Sequence, residues 1–204
     1  SVDNPKVIRF NDRDDLSKKA VGSALAQEFS SGPVYRDDIL YQILLSAILD
    51  ARKELIITTP YFVPDEGLVQ ALMAAAYRGV IVRLIVPRLN DSTLVAWSSR
   101  SFYSTLLGAG VEIAEFKGGL LHTKSLLIDQ RIALFGSVNF DQRSLRLNFE
   151  ISLIVYDHAF CEQLKTLTNS YLKRSQVINR IGWERRPRWR RLLENSAHLA
   201  SPLL

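Results

Sequence analysis

GGLLHTKSLLIDQRIALFGSVNFDQRSLRLNFE, residues 118–150, contains two apolar runs joined by a polar turn. The pattern predicts adjacent strands over His122–Asp129 and Arg131–Phe135, with Asp129 before Gln130-Arg131 as turn chemistry. Phe149–Tyr156 reads as a further strand. Upstream, Glu54–Thr59 (ELIITT), Val80–Val86 (VIVRLIV) and Val111–Phe116 are short β-branched or apolar runs and hence strands. Between and around them the spacing predicts helices over Leu40–Ala51, Gly67–Tyr77, Leu94–Leu107 and Ala159–Arg174. Asp65 is placed to cap the second of these and Gly79 to stop it, and Gly108 and Gly110 close the third. Strand and helix signals alternate and the strands are near-continuously apolar, which predicts an α/β fold with helices on both faces of a sheet. Lys18–Phe29 has helical spacing that Ser31-Gly32-Pro33 would end.

The 204 residues fit one domain with appendages, read as an N-terminal segment (1–30), a central domain (31–176) and a basic tail (177–204). A single cysteine, Cys161, excludes a disulfide within the chain and fits a reducing compartment. No apolar run reaches the roughly 20 residues of a membrane-spanning helix, and Asp3, Asn4 and Lys6 sit where a signal peptide would turn apolar. The chain opens at Ser1, as a piece of a longer protein would.

The net charge of +5 is concentrated: residues 171–191 hold eight basic residues against Glu184, a local +7, which leaves −2 for everything else. A nucleic-acid enzyme carries its charge along a body groove, so nucleic acid is a poor match. Trp183, Arg185, Arg186, Arg188, Trp189, Arg190 and Arg191 instead suit an anionic membrane surface. After Pro187 the apolar positions recur at helical spacing, so a C-terminal helix docked on the protein's own core fits equally well.

The chain has no G-x-G-x-x-G, G-x-x-x-x-G-K-[ST] or G-x-S-x-G. It has no cysteine pair, and its three histidines are widely separated, so the expected chemistry uses neither metal nor cofactor. Within 118–150, His122 and Lys124 lie two apart and share a strand face. Ser137 and Asn139 follow Gly136, and Asp141, Arg143, Ser144, Asn148 and Glu150 crowd the next turn. A phosphodiester site needs a group titrating near neutrality, fixed donors for anionic oxygens and a carboxylate that holds the imidazole tautomer. His122, then Lys124 with Ser137 and Asn139, then Glu150 fit those roles. Singly, each residue is as readily structural. Only the joint pattern argues for a site.

That pattern, H-x-K-x4-D at 122–129, G-S-x-N at 136–139 and Glu150, resembles the phospholipase D superfamily. With Thr59-Pro60-Tyr61-Phe62-Val63-Pro64-Asp65, Leu120-Leu121, Arg143-Ser144, Asn148-Phe149-Glu150 and Ser201-Pro202-Leu203-Leu204, it is similar to the C-terminal half of bacterial cardiolipin synthases over residues 31–204. The resemblance implies a phospholipase D-like mixed sheet carrying one of two facing motifs. It implies metal-free phosphatidyl transfer between two phosphatidylglycerol molecules through a phosphohistidine, with release of glycerol. His122 would be general acid or base opposite an N-terminal half, or either partner's nucleophile in a homodimer. Lys124, Asn139 and Ser137 would bind the phosphate and Glu150 would hydrogen-bond His122. Asp129 completes the motif, with a structural role expected at the far end of its strand. The implied location is the cytoplasmic face of the bacterial inner membrane. A one-motif phosphodiesterase or nuclease acting as a homodimer, and a non-catalytic membrane-binding half, are the alternatives.

Overall fold

The computed structural model describes residues 24–32, 39–146 and 148–199; the Ser201–Leu204 stretch lies outside them. In chain order the elements are β1 (Ala26–Ser31), α1 (Ile39–Asp50), β2 (Glu54–Thr58), β3 (Phe62–Val63), α2 (Glu66–Tyr77), β4 (Ile81–Pro87), α3 (Thr93–Ser101), α4 (Tyr103–Ala109), β5 (Glu112–Phe116), β6 (Ser125–Ile128), β7 (Ile132–Gly136), β8 (Phe140–Asp141), α5 (Gln142–Arg146), β9 (Glu150–Val155), α6 (His158–Lys173), β10 (Ser175–Val177), α7 (Arg180–Glu184) and α8 (Arg188–Leu199).

Among the described residues eight strands form one mixed sheet in the order β1-β9-β7-β6-β2-β4-β5-β10. The centre β2-β4-β5 is parallel. β6, β7, β9 and β1 extend it antiparallel on one side and β10 on the other. Side chains alternate across the sheet as the strand period requires. Leu55 and Ile57 of β2, with Leu126 and Ile128 of β6, enter the larger core against α1, α2 and α4. Ile56 and Leu127 turn the other way, onto Cys161 and Leu164 of α6. Helices therefore cover both faces, and this double burial is why the strands read as unbroken apolar runs.

Three elements depart from the sequence expectation. The run Ala26–Ser31 is an edge strand paired with β9 and not the end of a helix; residues 18–23 of that expected helix lie outside the described set. Strand pairing supplies backbone partners for a segment whose side chains remain mostly exposed. The expected helix Leu94–Leu107 is two helices joined at Phe102. There the Ser101 hydroxyl donates to the Ser98 carbonyl at 2.6 Å and the Phe102 N–H turns to Ser99, so the regular ladder is interrupted. Gly110, in the left-handed region at φ 96°, then ends α4 as expected. Finally, His122–Lys124 precede β6 and are not inside it, although the Lys124 carbonyl still accepts from the Gly136 N–H at 3.3 Å.

Candidate active site

β2 and β4 end, and β6 begins, at the same edge of the sheet: Thr58 pairs with both Ile85 and Ser125. That edge, outside the carboxyl ends of the parallel strands, is where open α/β sheets hold ligands. His122 is exposed and Lys124 half-buried there. Lys124 Nζ lies 3.1 Å from each ring nitrogen of His122 and donates to the His122 carbonyl at 3.1 Å. An ammonium equidistant from both ring nitrogens lies over the face of the imidazole, so the acceptor lone pair in the ring plane stays free in either tautomer. Thr123, pointing the opposite way, bonds Tyr171 of α6 at 2.9 Å and pins this segment from behind.

Gly136 ends β7 with no room for a side chain. A Cβ would sit 2.2 Å from the Ile151 carbonyl oxygen and 2.8 Å from Ser152 Cα, both backbone atoms. The glycine of G-S-x-N is thus fixed by the close crossing of β7 and β9. Ser137 Oγ accepts from the Ile151 N–H at 3.0 Å and lies 3.4 Å from the Ile151 carbonyl. It is spent on that crossing in addition to being near the edge.

Asn139 is positioned by a chain of donors. Ser144 donates its N–H and its hydroxyl to Asp141 at 2.6 and 3.1 Å. The Ser144 oxygen can therefore only accept from Asn139 Nδ2, at 3.2 Å, which settles the amide orientation and leaves the second amide proton for an anionic oxygen. Burial raises the pKa of Asp141, against the hydrogen bonds from Ser144 and with Glu150 adding to the rise. Burial likewise lowers that of Lys124, while the charges of Glu150 and Asp141 pull it back up. Glu150 therefore acts on Lys124. Its carboxylate accepts from the Asn148 amide at 3.4 Å and not from His122 as expected.

Asp129 stands apart, at the hairpin turn with φ 52°. Its carboxylate accepts the backbone N–H groups of Arg52, Lys53 and Glu54 at 3.0, 2.7 and 2.9 Å, tying the start of β2 to the β6–β7 turn. The structural role expected for it has this physical content, at the opposite end of β6 from His122 and Lys124.

The 59–65 stretch contributes more to the site than its sequence alone revealed. β3 pairs in parallel with β8, placing Phe62 beside Phe140 and Val63 beside Asp141. Buried Thr59 donates to the Tyr61 carbonyl at 2.8 Å and accepts from the Phe140 N–H at 3.3 Å. Tyr61 Oη lies 3.0 and 2.8 Å from the Asp91 carboxylate oxygens, which raises the phenol's pKa. A cleft of about 340 Å³ opens there between Tyr61, Ser92, Asn139, Asp141 and Asn148. Tyr61 and Asp91 had no assigned role in the sequence; the only signal was an aromatic and proline cluster just past a strand end.

The tail is largely docked. Trp183 is buried against Tyr103, ring centroids 4.9 Å apart, and belongs to the larger core. The Arg186 guanidinium lies 3.1 Å from the Trp183 ring centroid and makes a two-pronged pair with buried Glu194 at 2.7 and 2.9 Å. Arg191 bonds the Glu184 carbonyl. Of the expected membrane contacts, Trp183 and Arg186 are thus committed to the fold, whereas Arg185, Trp189 and Arg190 are exposed. The Arg188 side chain lies outside what the structure describes. No described helix is long and apolar enough to cross a membrane.

The mixed sheet covered by helices on both faces is that of the phospholipase D fold. Solved structures agree. Phosphatidylserine synthase from Haemophilus influenzae superposes with a TM-score of 0.71 at 18% identity, covering 90% of this chain and 48% of that one. The phospholipase D family member Nuc from Salmonella typhimurium gives 0.65 at 17%, covering 77% and 99%. The chain belongs to the family described as cardiolipin synthase, PLD-like domain, whose model matches residues 44–172. It is 51% identical over 178 residues to cardiolipin synthase A of Serratia proteamaculans, covering 87% of this chain, and 48% identical over 189 residues to that of Buchnera aphidicola, covering 93%. It spans 37% and 39% of the length of those two relatives.

Proposed function

We propose that the chain is one half of a phosphatidyl-transfer site that joins two phosphatidylglycerol molecules into cardiolipin and releases glycerol. The observation that supports this most directly is the Lys124 ammonium held against the His122 ring beside an oriented Asn139 amide. Lys124 lies over the imidazole face and leaves the lone pair in the ring plane free to react. A phosphodiester draws Lys124 and the second Asn139 amide proton to its non-bridging oxygens and so presents phosphorus to that lone pair.

In the first step a ring nitrogen attacks phosphorus and the P–O bond to glycerol breaks. The leaving oxygen takes a proton from the facing imidazole of the second half. In the second step the hydroxyl of another phosphatidylglycerol gives its proton back to that imidazole and attacks phosphorus, and the P–N bond breaks. His122 fills either place: acid and base opposite a distinct half, or both places in turn in a pair of identical chains. The exposed Arg185, Trp189 and Arg190 bring the site to an anionic membrane surface.

Product analysis tests the reading. The chain is incubated with phosphatidylglycerol vesicles in EDTA beside a His122→Ala control. Cardiolipin and glycerol from the native chain alone are expected. Phosphatidic acid in their place would move the assignment to hydrolysis.

A further inference from the structure

The chain's three tryptophans, Trp97, Trp183 and Trp189, all line one groove of about 440 Å³ under α8, together with Arg88, Arg100, Arg186 and Arg190. Two of these guanidiniums are neutralised within the groove: Arg186 by Glu194, and Arg100 by Glu115 at 3.4 Å. The other two meet no carboxylate among the described residues. Arg88 donates to the neutral Gln176 amide oxygen at 3.1 Å, and Arg190 lies 5.3 Å from the Trp189 ring centroid. Both are exposed. The indole Nε1–H of Trp183 is buried and meets no acceptor among the described residues. Next to the arginines the wall is apolar and open: Trp189 is 59% exposed, Leu193 40% and Trp97 37%.

Two unneutralised guanidinium forks match one phosphate. An apolar rim with exposed tryptophan and leucine suits a group that passes from headgroup to acyl chain. A polynucleotide would need a track of cations for successive phosphates, and Glu115 and Glu194 interrupt any such track here. We propose that this groove is a headgroup site for an anionic phospholipid, separate from the His122–Lys124 pair, with Arg88 and Arg190 on the phosphate and Trp97 and Trp189 beside the upper acyl chains. Arg88 also heads the loop whose Asn90 and Asp91 bond Pro60 and Tyr61, so the lipid would sit next to the loop that frames the cleft at Asn139. The proposal requires contact with lipid but not the transfer chemistry.

Because every tryptophan of the chain lines the groove, intrinsic fluorescence reports on it. The chain is titrated with dihexanoyl phosphatidylglycerol below its micelle concentration. A saturable change is expected, weakened about a hundredfold in R88Q/R190Q, a factor of about ten for each charge-assisted hydrogen bond removed, and retained in H122A. Both arginines are exposed, and circular dichroism checks that the double variant is folded. An unsaturable response, an unchanged R88Q/R190Q titration, or equal binding of dihexanoyl phosphatidylcholine would overturn the proposal. So would glycerol phosphate binding as tightly as the lipid, which would mean a phosphate site without lipid preference. A single-stranded oligonucleotide competing with the same arginine dependence would overturn it in favour of nucleic acid. None of these outcomes touches the product analysis, which stands or falls on His122.

Discussion

Lys124 and Asp129 belong to one motif and live in opposite environments. At Lys124 burial outweighs the attraction of Glu150 and Asp141, so its pKa lies below the usual lysine range. The charge that would grip a phosphate therefore disappears at a lower pH than in an ordinary lysine. The expected outcome is a KM for phosphatidylglycerol that rises on the alkaline side before normal lysines titrate, with Lys124→Arg moving that rise to higher pH because a guanidinium stays charged. Initial-rate kinetics between neutral and alkaline pH measure it. At Asp129 burial pushes the carboxyl upward, but the three backbone donors together prevail and the pKa is lowered. A lowered folded value gives stability that is present above the unfolded aspartate range and lost as the pH falls through the folded value. Asp129→Ala should cost roughly 2–3 kcal/mol, the scale of hydrogen bonds to a charged acceptor. Asp129→Asn should cost less, because asparagine keeps one acceptor and tolerates the left-handed backbone. Thermal unfolding compares the two; a large loss of turnover in Asp129→Ala with an unchanged melting temperature would contradict the structural role.

The pairing of β3 with β8 shows why part of the site was illegible before the structure. Each has two residues, too short for a period to register, and they are far apart in the chain. Their partnership is visible only once Thr59 is seen bridging the Tyr61 carbonyl and the Phe140 N–H. His122, Lys124 and Asn139 were legible because the motif spacing carries them; Tyr61 and Asp91 were not, because a tyrosine past a strand end is commonplace. The elements with full-length periodicity, β2, β4 and α2 among them, came out within a residue or two. The edge strands β1 and β10 did not, since exposed faces carry little apolar signal. Thr59→Val keeps the shape of the side chain and removes both bonds. It should destabilise by about 1–3 kcal/mol for the buried Phe140 N–H left unpaired, visible in urea unfolding, and reduce turnover as Asn139 loses its anchoring strand. The tail makes a parallel case. Helical spacing predicted α8, but both the docked and the membrane readings fitted that spacing. The structure joins them, with Arg186 and Glu194 holding the helix and Trp189 and Arg190 left outside. Arg186→Ala strands a buried carboxylate and should cost about 3–5 kcal/mol. Adding Glu194→Gln should recover much of this, and denaturant titrations of the single and double variants measure the coupling.

As a molecule, the chain presents the His122–Lys124 pair on one sheet edge, with no second imidazole described opposite it. His122 is exposed there, and large apolar side chains surround the same edge: Leu89 is 87% exposed, Leu120 88% and Phe149 71%. Such an edge is suited to being covered by a second half, and the proposed two-step transfer needs a second imidazole. If two copies of this chain supply it, the pair is isologous and each copy faces the same surface of the other. One functional pair then requires His122 in both copies. Mixing native chain with folded His122→Ala chain at fixed total concentration should make activity follow the square of the native fraction, about a quarter at equal mixing under random pairing. A linear fall to one half would mean that one His122 suffices and that its partner is some other group of the facing copy. Activity that appears only when a distinct second half is added, and then falls linearly with the native fraction, would identify His122 as one member of an unlike pair. Transfer assays across the mixing series separate these cases, because pairing stoichiometry fixes the curvature while total protein, lipid surface and tail contacts stay constant.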